Sequence, residues 1–67
     1  MQLKSVSDIK KAVDSGLSVY HNNNAYKVIK DQLGQYLIYC TLNGYTIGLT
    51  WRDNKTLNGK INDFFIK

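Results

Sequence analysis

The sequence predicts an α+β domain: one N-terminal helix packed on one face of a four-stranded antiparallel meander, strand order 1-2-3-4, with a short C-terminal cap. Three observations lead there. Apolar residues recur at helical spacing over Val6, Ile9, Ala12 and Val13. Alternating, β-forming stretches follow at residues 17–21, 25–31 and on both sides of Asn43-Gly44. Asn and Gly stand where each of these stretches must reverse. With 67 residues, the whole chain 1–67 has room for one small domain near the lower limit for a core that stabilises itself.

The helix is expected over residues 5–16. Ser5 is placed to accept a hydrogen bond as N-cap with Asp8 three residues on, and Gly16 supplies the left-handed residue that ends the helix. Three turns do not persist alone in water, so the apolar stripe must pack on the sheet, while Lys10, Lys11 and Asp14 face solvent. The run Asn22-Asn23-Asn24 then turns a first hairpin. A two-residue loop at Asn23-Asn24 sets Val19 opposite Val28 and His21 opposite Tyr26. The next connection, Gln32-Leu33-Gly34, suits a three-residue loop with Gly34 left-handed, which pairs Val28 with Ile38 and Tyr26 with Cys40. Both turns put Leu17, Val19, Tyr26 and Val28 on the core face.

Asn43-Gly44 is the strongest short-range hairpin signal in the chain and predicts a two-residue type I′ turn with both residues at positive φ. On the core face that register pairs Cys40 with Ile47, Ile38 with Leu49 and Tyr36 with Trp51. On the other face it pairs Thr41 with Thr46, Tyr39 with Gly48, Leu37 with Thr50 and Gln35 with Arg52. Trp51 is read as a core edge. After it, Arg52-Asp53-Asn54-Lys55 forms a polar turn and Thr56-Leu57-Asn58-Gly59 a second Asn-Gly turn. From Lys60 onward both a helical turn and a short strand remain open, with Phe64 and Phe65 sealing the core.

The opposite sheet face would carry Tyr20, Lys27, Ile29, Leu37, Tyr39, Thr41, Thr46, Thr50 and Arg52. An open face on a small domain is normally polar, so the apolar Tyr20, Ile29, Leu37 and Tyr39 mark a contact surface. Tyr20, Lys27, Ile29, Leu37, Tyr39 and Arg52 are therefore the candidate partner-binding residues. Tyr and Arg among aliphatic side chains match the centre of a protein interface, and the tyrosines would serve equally in a homodimer or as cross-strand packing. The same tyrosines with Lys27 and Arg52 allow a second reading, in which bases stack and phosphates are bound. The Lys/Arg-Gly-Phe/Tyr pattern of an RNA recognition motif is absent.

Catalysis is not expected. One His, one Cys and five scattered Asp give no cluster for proton transfer, nucleophilic attack or metal binding, and no glycine-rich phosphate loop or cofactor motif occurs. Cys40 lies on the face predicted to be covered, as a buried structural thiol, and His21 on the rim. Nine Lys or Arg against five Asp give a net charge of +4, favouring acidic partners, but the basic residues form no tract. A lone cysteine, no apolar run like that of a signal peptide and none of membrane-spanning length lead us to expect a cytoplasmic protein without a membrane partner.

Through Tyr26-Lys27-Val28-Ile29-Lys30-Asp31, Gly34-Gln35-Tyr36-Leu37-Ile38, Ile47-Gly48-Leu49-Thr50-Trp51-Arg52-Asp53 and the closing Asp63-Phe64-Phe65, the chain resembles short uncharacterised proteins of bacteriophages, prophages and plasmids. The resemblance runs from Val6 on and lies in strands and turns. It implies a small accessory protein that modulates host or phage machinery by binding, and it assigns no site residue.

Overall fold

The computed structural model describes residues 2–67. Helix α1 (Val6–Asp14) is followed by β1 (Val19–His21), β2 (Asn23–Lys30), β3 (Tyr36–Cys40), β4 (Thr46–Gly48), a 3-10 turn (Ile61–Asp63) and β5 (Phe64–Ile66). The predicted α+β arrangement is present, but the antiparallel sheet has five strands, in order β4-β3-β2-β1-β5. Both options for the C-terminus are realised in succession: the 3-10 turn delivers Phe64–Ile66 to the free edge of β1 as the fifth strand.

The ends of α1 follow from its caps. The Ser5 hydroxyl accepts from the Asp8 N–H at 3.3 Å, and the Asp8 carboxylate accepts from the Lys4 N–H at 2.9 Å. At the other end the N–H groups of Gly16 and Leu17 donate to the carbonyls of Val13 and Ala12, satisfying carbonyls that the helix leaves open. Ile9 and Ala12 are fully buried against Val19, Val28, Ile38, Leu49 and Phe64, with Val6, Val13, Ile47, Leu57 and Ile61 around them. Burying one such aliphatic side chain stabilises the fold by about 1.5–3 kcal/mol. Leu17, expected in the core, is instead 42% exposed, because the helix exit holds it in the link ahead of β1.

The β2–β3 connection forms as predicted. Gly34 has φ +84, the Asp31 side chain accepts from the N–H groups of Leu33 and Gln35, and Tyr26↔Cys40 and Val28↔Ile38 are partners. The first hairpin departs from its expected turn. Tyr20↔Lys27 keeps the predicted register, but the chain reverses at Asn22, at φ 64, and His21 faces Asn23 rather than Tyr26 across a bulge. Two contacts account for this: the Asn22 N–H donates to the Asp63 carbonyl, and the Asn23 side chain accepts from the Ala25 N–H. Tyr26, expected in the core, is left on the rim, 37% exposed.

The central hairpin is shifted by two residues from the type I′ register. Thr41–Gly44 make a four-residue loop in which Gly44 alone is at positive φ, +76. The Cys40 N–H donates to Tyr45 O at 2.7 Å, and the Gly44 N–H to Cys40 O at 2.9 Å. Asn43 acts through its side chain, accepting from the Tyr45 N–H, and not through a left-handed backbone. The pairs become Leu37↔Gly48, Ile38↔Ile47 and Tyr39↔Thr46 in place of those with Thr50, Leu49 and Gly48. A two-residue slip leaves every side chain on its predicted face. It also brings Leu49 opposite Tyr36, fully buried, and carries Trp51 beyond the strand, where it is 65% exposed and not a core edge.

Past β4 the chain makes a small hairpin with a bridge between Thr50 and Leu57. Its polar turn is held by Asp53, which accepts from Lys55 N–H, Thr56 N–H and the Thr56 hydroxyl. Asn58 is not at positive φ; it donates its backbone and side-chain N–H groups to the carbonyls of Leu49 and Gly48, so the second Asn-Gly pair ties this segment to β4.

Candidate binding surface

Strand alternation sends Val19, Val28 and Ile38 toward α1 and their neighbours to the other side. Across that outer face Tyr20 is the partner of Lys27, Lys27 of Tyr39, and Tyr39 of Thr46. A parallel row runs Ile29, Leu37, Gly48. Five of the predicted residues are thus brought together, and each is half-buried by its cross-strand neighbours without an element above it.

Arg52 is not in this array. The two-residue shift places it in the exposed turn after Thr50, on the rim of a cleft that it shares with Leu37, Gly48, Trp51 and Lys10. Phe65, expected with Phe64 in the core, belongs to the outer face: it is the partner of Tyr20, and their rings stack at 5.7 Å with 26° between planes. Phe64 does seal the core, 5% exposed. Alternation within a fifth strand would have separated the two phenylalanines, but three consecutive apolar residues show no period of their own.

The outer row therefore reads Phe65, Tyr20, Lys27, Tyr39, Thr46, a nearly continuous aromatic band with one cation in it. Lys27 stands between two tyrosines in the cross-strand row, a position where a lysine keeps its ammonium in water and adds its aliphatic stem to the apolar area. No Asp is in these strands. Asp8, Asp14, Asp31 and Asp53 each accept hydrogen bonds within the chain.

Asp14 anchors a second cluster, at the helix end. It accepts from the Tyr36 hydroxyl at 2.8 Å and from Lys30 at 3.3 Å, and Lys10 and Lys30 both sit 5.2 Å from the centre of the Tyr36 ring. The Tyr36 hydrogen bond, aided by Lys30, holds the Asp14 carboxyl below its ordinary range, and Tyr36 with Asp14 pushes the Lys30 amine up. The Thr56 hydroxyl and backbone lower Asp53 in the same direction.

Cys40 is buried and unpaired, while His21 is half-buried with its ring stacked on Phe64 at 4.4 Å. Among the described residues no three His, Cys, Asp or Glu side chains gather where they would hold a metal ion, and no helix is long and apolar enough to cross a membrane. No protein-family model, curated protein or solved structure matches the chain.

Proposed function

We propose that this chain is a non-catalytic binding module that engages another protein through the outer sheet face, with Tyr20, Lys27, Ile29, Leu37, Tyr39 and Phe65 as contact residues and Arg52 at the rim. The supporting observation is the half-buried aromatic band of Phe65, Tyr20 and Tyr39, uncovered by any element. Aromatic anchors beside aliphatic side chains, with one cation and no carboxylate, suit a partner patch that is apolar with an acidic margin. The resemblance to small phage and plasmid proteins extends this proposal to its setting: an accessory protein in the bacterial cytoplasm that modulates host or phage machinery by occupying a partner's surface.

The test is retention of partners from bacterial lysate by the tagged chain, with and without nuclease and at low and high salt, compared with the Tyr39→Ala/Leu37→Ser variant. A discrete protein retained through nuclease and high salt, and lost in the variant while the variant stays folded, supports the proposal. Retention unchanged in the folded variant removes this surface from consideration. A dimer of the chain dispersed by the same variant would make the partner a second copy.

A further inference from the structure

Nucleic-acid binding requires cations and a free aromatic face in one place, and the outer sheet face holds only Lys27 in its strands. The combination occurs instead at the end of the sheet where β4 gives way to the 50–57 hairpin. There a cleft of about 340 Å³ is lined by Lys10, Tyr36, Trp51, Arg52 and Asn54. Beside it lies a wider depression of about 560 Å³ whose lining shares Lys10, Tyr36 and Asn54 and adds Lys11, Asp14 and Lys55. The two adjoin across these shared side chains and together make a basic trough.

We propose that this trough binds single-stranded nucleic acid, with Trp51 as the platform on which a base stacks and Lys10, Lys11, Arg52 and Lys55 as phosphate contacts. Three features carry this, and the cleft meets the outer face only at its end, through Leu37 and Gly48. Trp51 is 65% exposed in the trough wall, so the indole has surface free to take a flat ligand. Four of the chain's nine basic residues line the trough, and among the described residues none of the four is in an ion pair. The carboxylate in the lining, Asp14, accepts from Lys30 and Tyr36, with Lys10 close enough to help hold it ionised, and nearby Asp53 accepts from the Thr56 hydroxyl and the backbone N–H groups of Lys55 and Thr56, which leaves Lys11, Arg52 and the Lys55 ammonium without a carboxylate partner. An acidic peptide would satisfy the cations but leave the indole face unused. A duplex keeps its base faces stacked internally.

Trp51 is the chain's only tryptophan, so its emission reports the site directly. The full chain is titrated with a short oligothymidylate, following Trp51 emission and, in parallel, the anisotropy of a labelled strand. Saturable quenching is expected, with affinity falling about tenfold to a hundredfold between about 50 mM and about 300 mM salt, as two to four phosphate contacts require. Trp51→Ala, at an exposed position, weakens anisotropy-detected binding by about tenfold or more. Lys55→Ala and Arg52→Ala each lower the slope of log affinity against log salt by about 0.7. Tyr20→Ala and Phe65→Ala, on the part of the outer face away from the cleft, leave oligonucleotide binding unchanged, which separates this proposal from the protein-binding one. Absence of binding at low salt, or wild-type affinity in Trp51→Ala, overturns the assignment. So does loss of binding in the folded outer-face variants. Quenching by polyglutamate as strong as by the oligonucleotide reassigns the trough to acidic proteins. Equal affinity for a duplex of the same length reduces it to a phosphate patch without stacking.

Discussion

The two faces of the sheet are made by the same strands, one residue out of phase, and differ in how completely they are covered. On the helix side Val19, Val28, Ile38 and Leu49 are 0–2% exposed. On the outer side Tyr20, Ile29, Leu37 and Tyr39 are only half-buried, although they are as large and nearly as apolar. The inner set is explained entirely by folding. The outer set is larger than folding alone requires, because a solvent-facing sheet would gain solubility from polar residues there. The helix side also keeps an opening: α1 spans only about 14 Å at 1.5 Å per residue, while β2 extends about 26 Å at 3.3 Å per residue. A pocket of about 240 Å³ between His21, Tyr26, Tyr45 and Ile47 remains beyond the helix.

The largest effects should come from the inner face. Ile9→Ala empties a site that is 0% exposed and is expected to cost about 2–5 kcal/mol. A domain of this size has only about 3–10 kcal/mol in total. Urea unfolding should therefore show a variant with a strongly lowered midpoint or no folded baseline; a loss below about 1 kcal/mol would mean that the helix is not a principal wall of the core. On the outer face the order of effects should reverse. Tyr39→Ala/Leu37→Ser is expected to weaken partner binding by about 2 kcal/mol or more while moving stability by about half that. If the double variant unfolds the chain as Ile9→Ala does, the outer face is structural and the contrast between the faces fails.

Much of this contrast is legible in the sequence because alternation has a period of two. The real register of β3 against β4 differs by two residues from the one Asn43-Gly44 suggested, and the assignment of Ile38, Ile47, Leu37 and Tyr39 to faces survives unchanged. What depends on the count rather than the parity does not survive: Trp51 moves out of the core edge, Arg52 leaves the ladder, and Gly48 faces Leu37 rather than Tyr39. The asparagines hide these details because one residue type serves two purposes. Asn22 and Asn54 take positive φ, while Asn23 and Asn43 act as side-chain acceptors for the N–H two residues on. The fifth strand was obscured by its shortness, and with it the place of Phe65.

The loop that sets the register gives a sharper, smaller test. Gly44→Ala meets open space, so its cost is the left-handed backbone alone, about 1–2 kcal/mol. Asn43→Ala loses only its bond to the Tyr45 N–H and should cost about 0.5–1 kcal/mol, measured by thermal or urea unfolding. In a type I′ turn Asn43 would itself be left-handed and Asn43→Gly would stabilise the chain, whereas here it removes the side-chain acceptor and costs stability. A gain in stability for Asn43→Gly would restore the two-residue turn and return Trp51 to the side of Tyr36.

The smallest expected effect concerns the cluster where helix and sheet ends meet. Asp14 and Asp53 are held lower in the folded chain than in the unfolded one, so each contributes stability that is fully present above the ordinary carboxylate range and lost as pH falls through the lowered value. Lys30 titrates higher when folded; its contribution is present below the ordinary amine range and lost as pH rises through the raised value. Tyr36 supplies the largest influence on both Asp14 and Lys30. Tyr36→Phe keeps the ring beneath the two lysines and removes the hydroxyl, so it should lower the neutral plateau of the melting profile slightly, where both contributions are present, while the two proteins converge at the acid and alkaline ends, where both are lost. The groups are exposed, and water and salt screen them, so added salt should shrink the difference between wild type and variant. Direct titration of the Asp14 carboxyl by NMR decides the matter: its midpoint should rise in Tyr36→Phe while that of Asp53, held by Thr56, stays where it was. Identical Asp14 midpoints in the two proteins would mean that the helix end does not dock on Tyr36 in solution, and the basic trough beside it would then lack one of its walls.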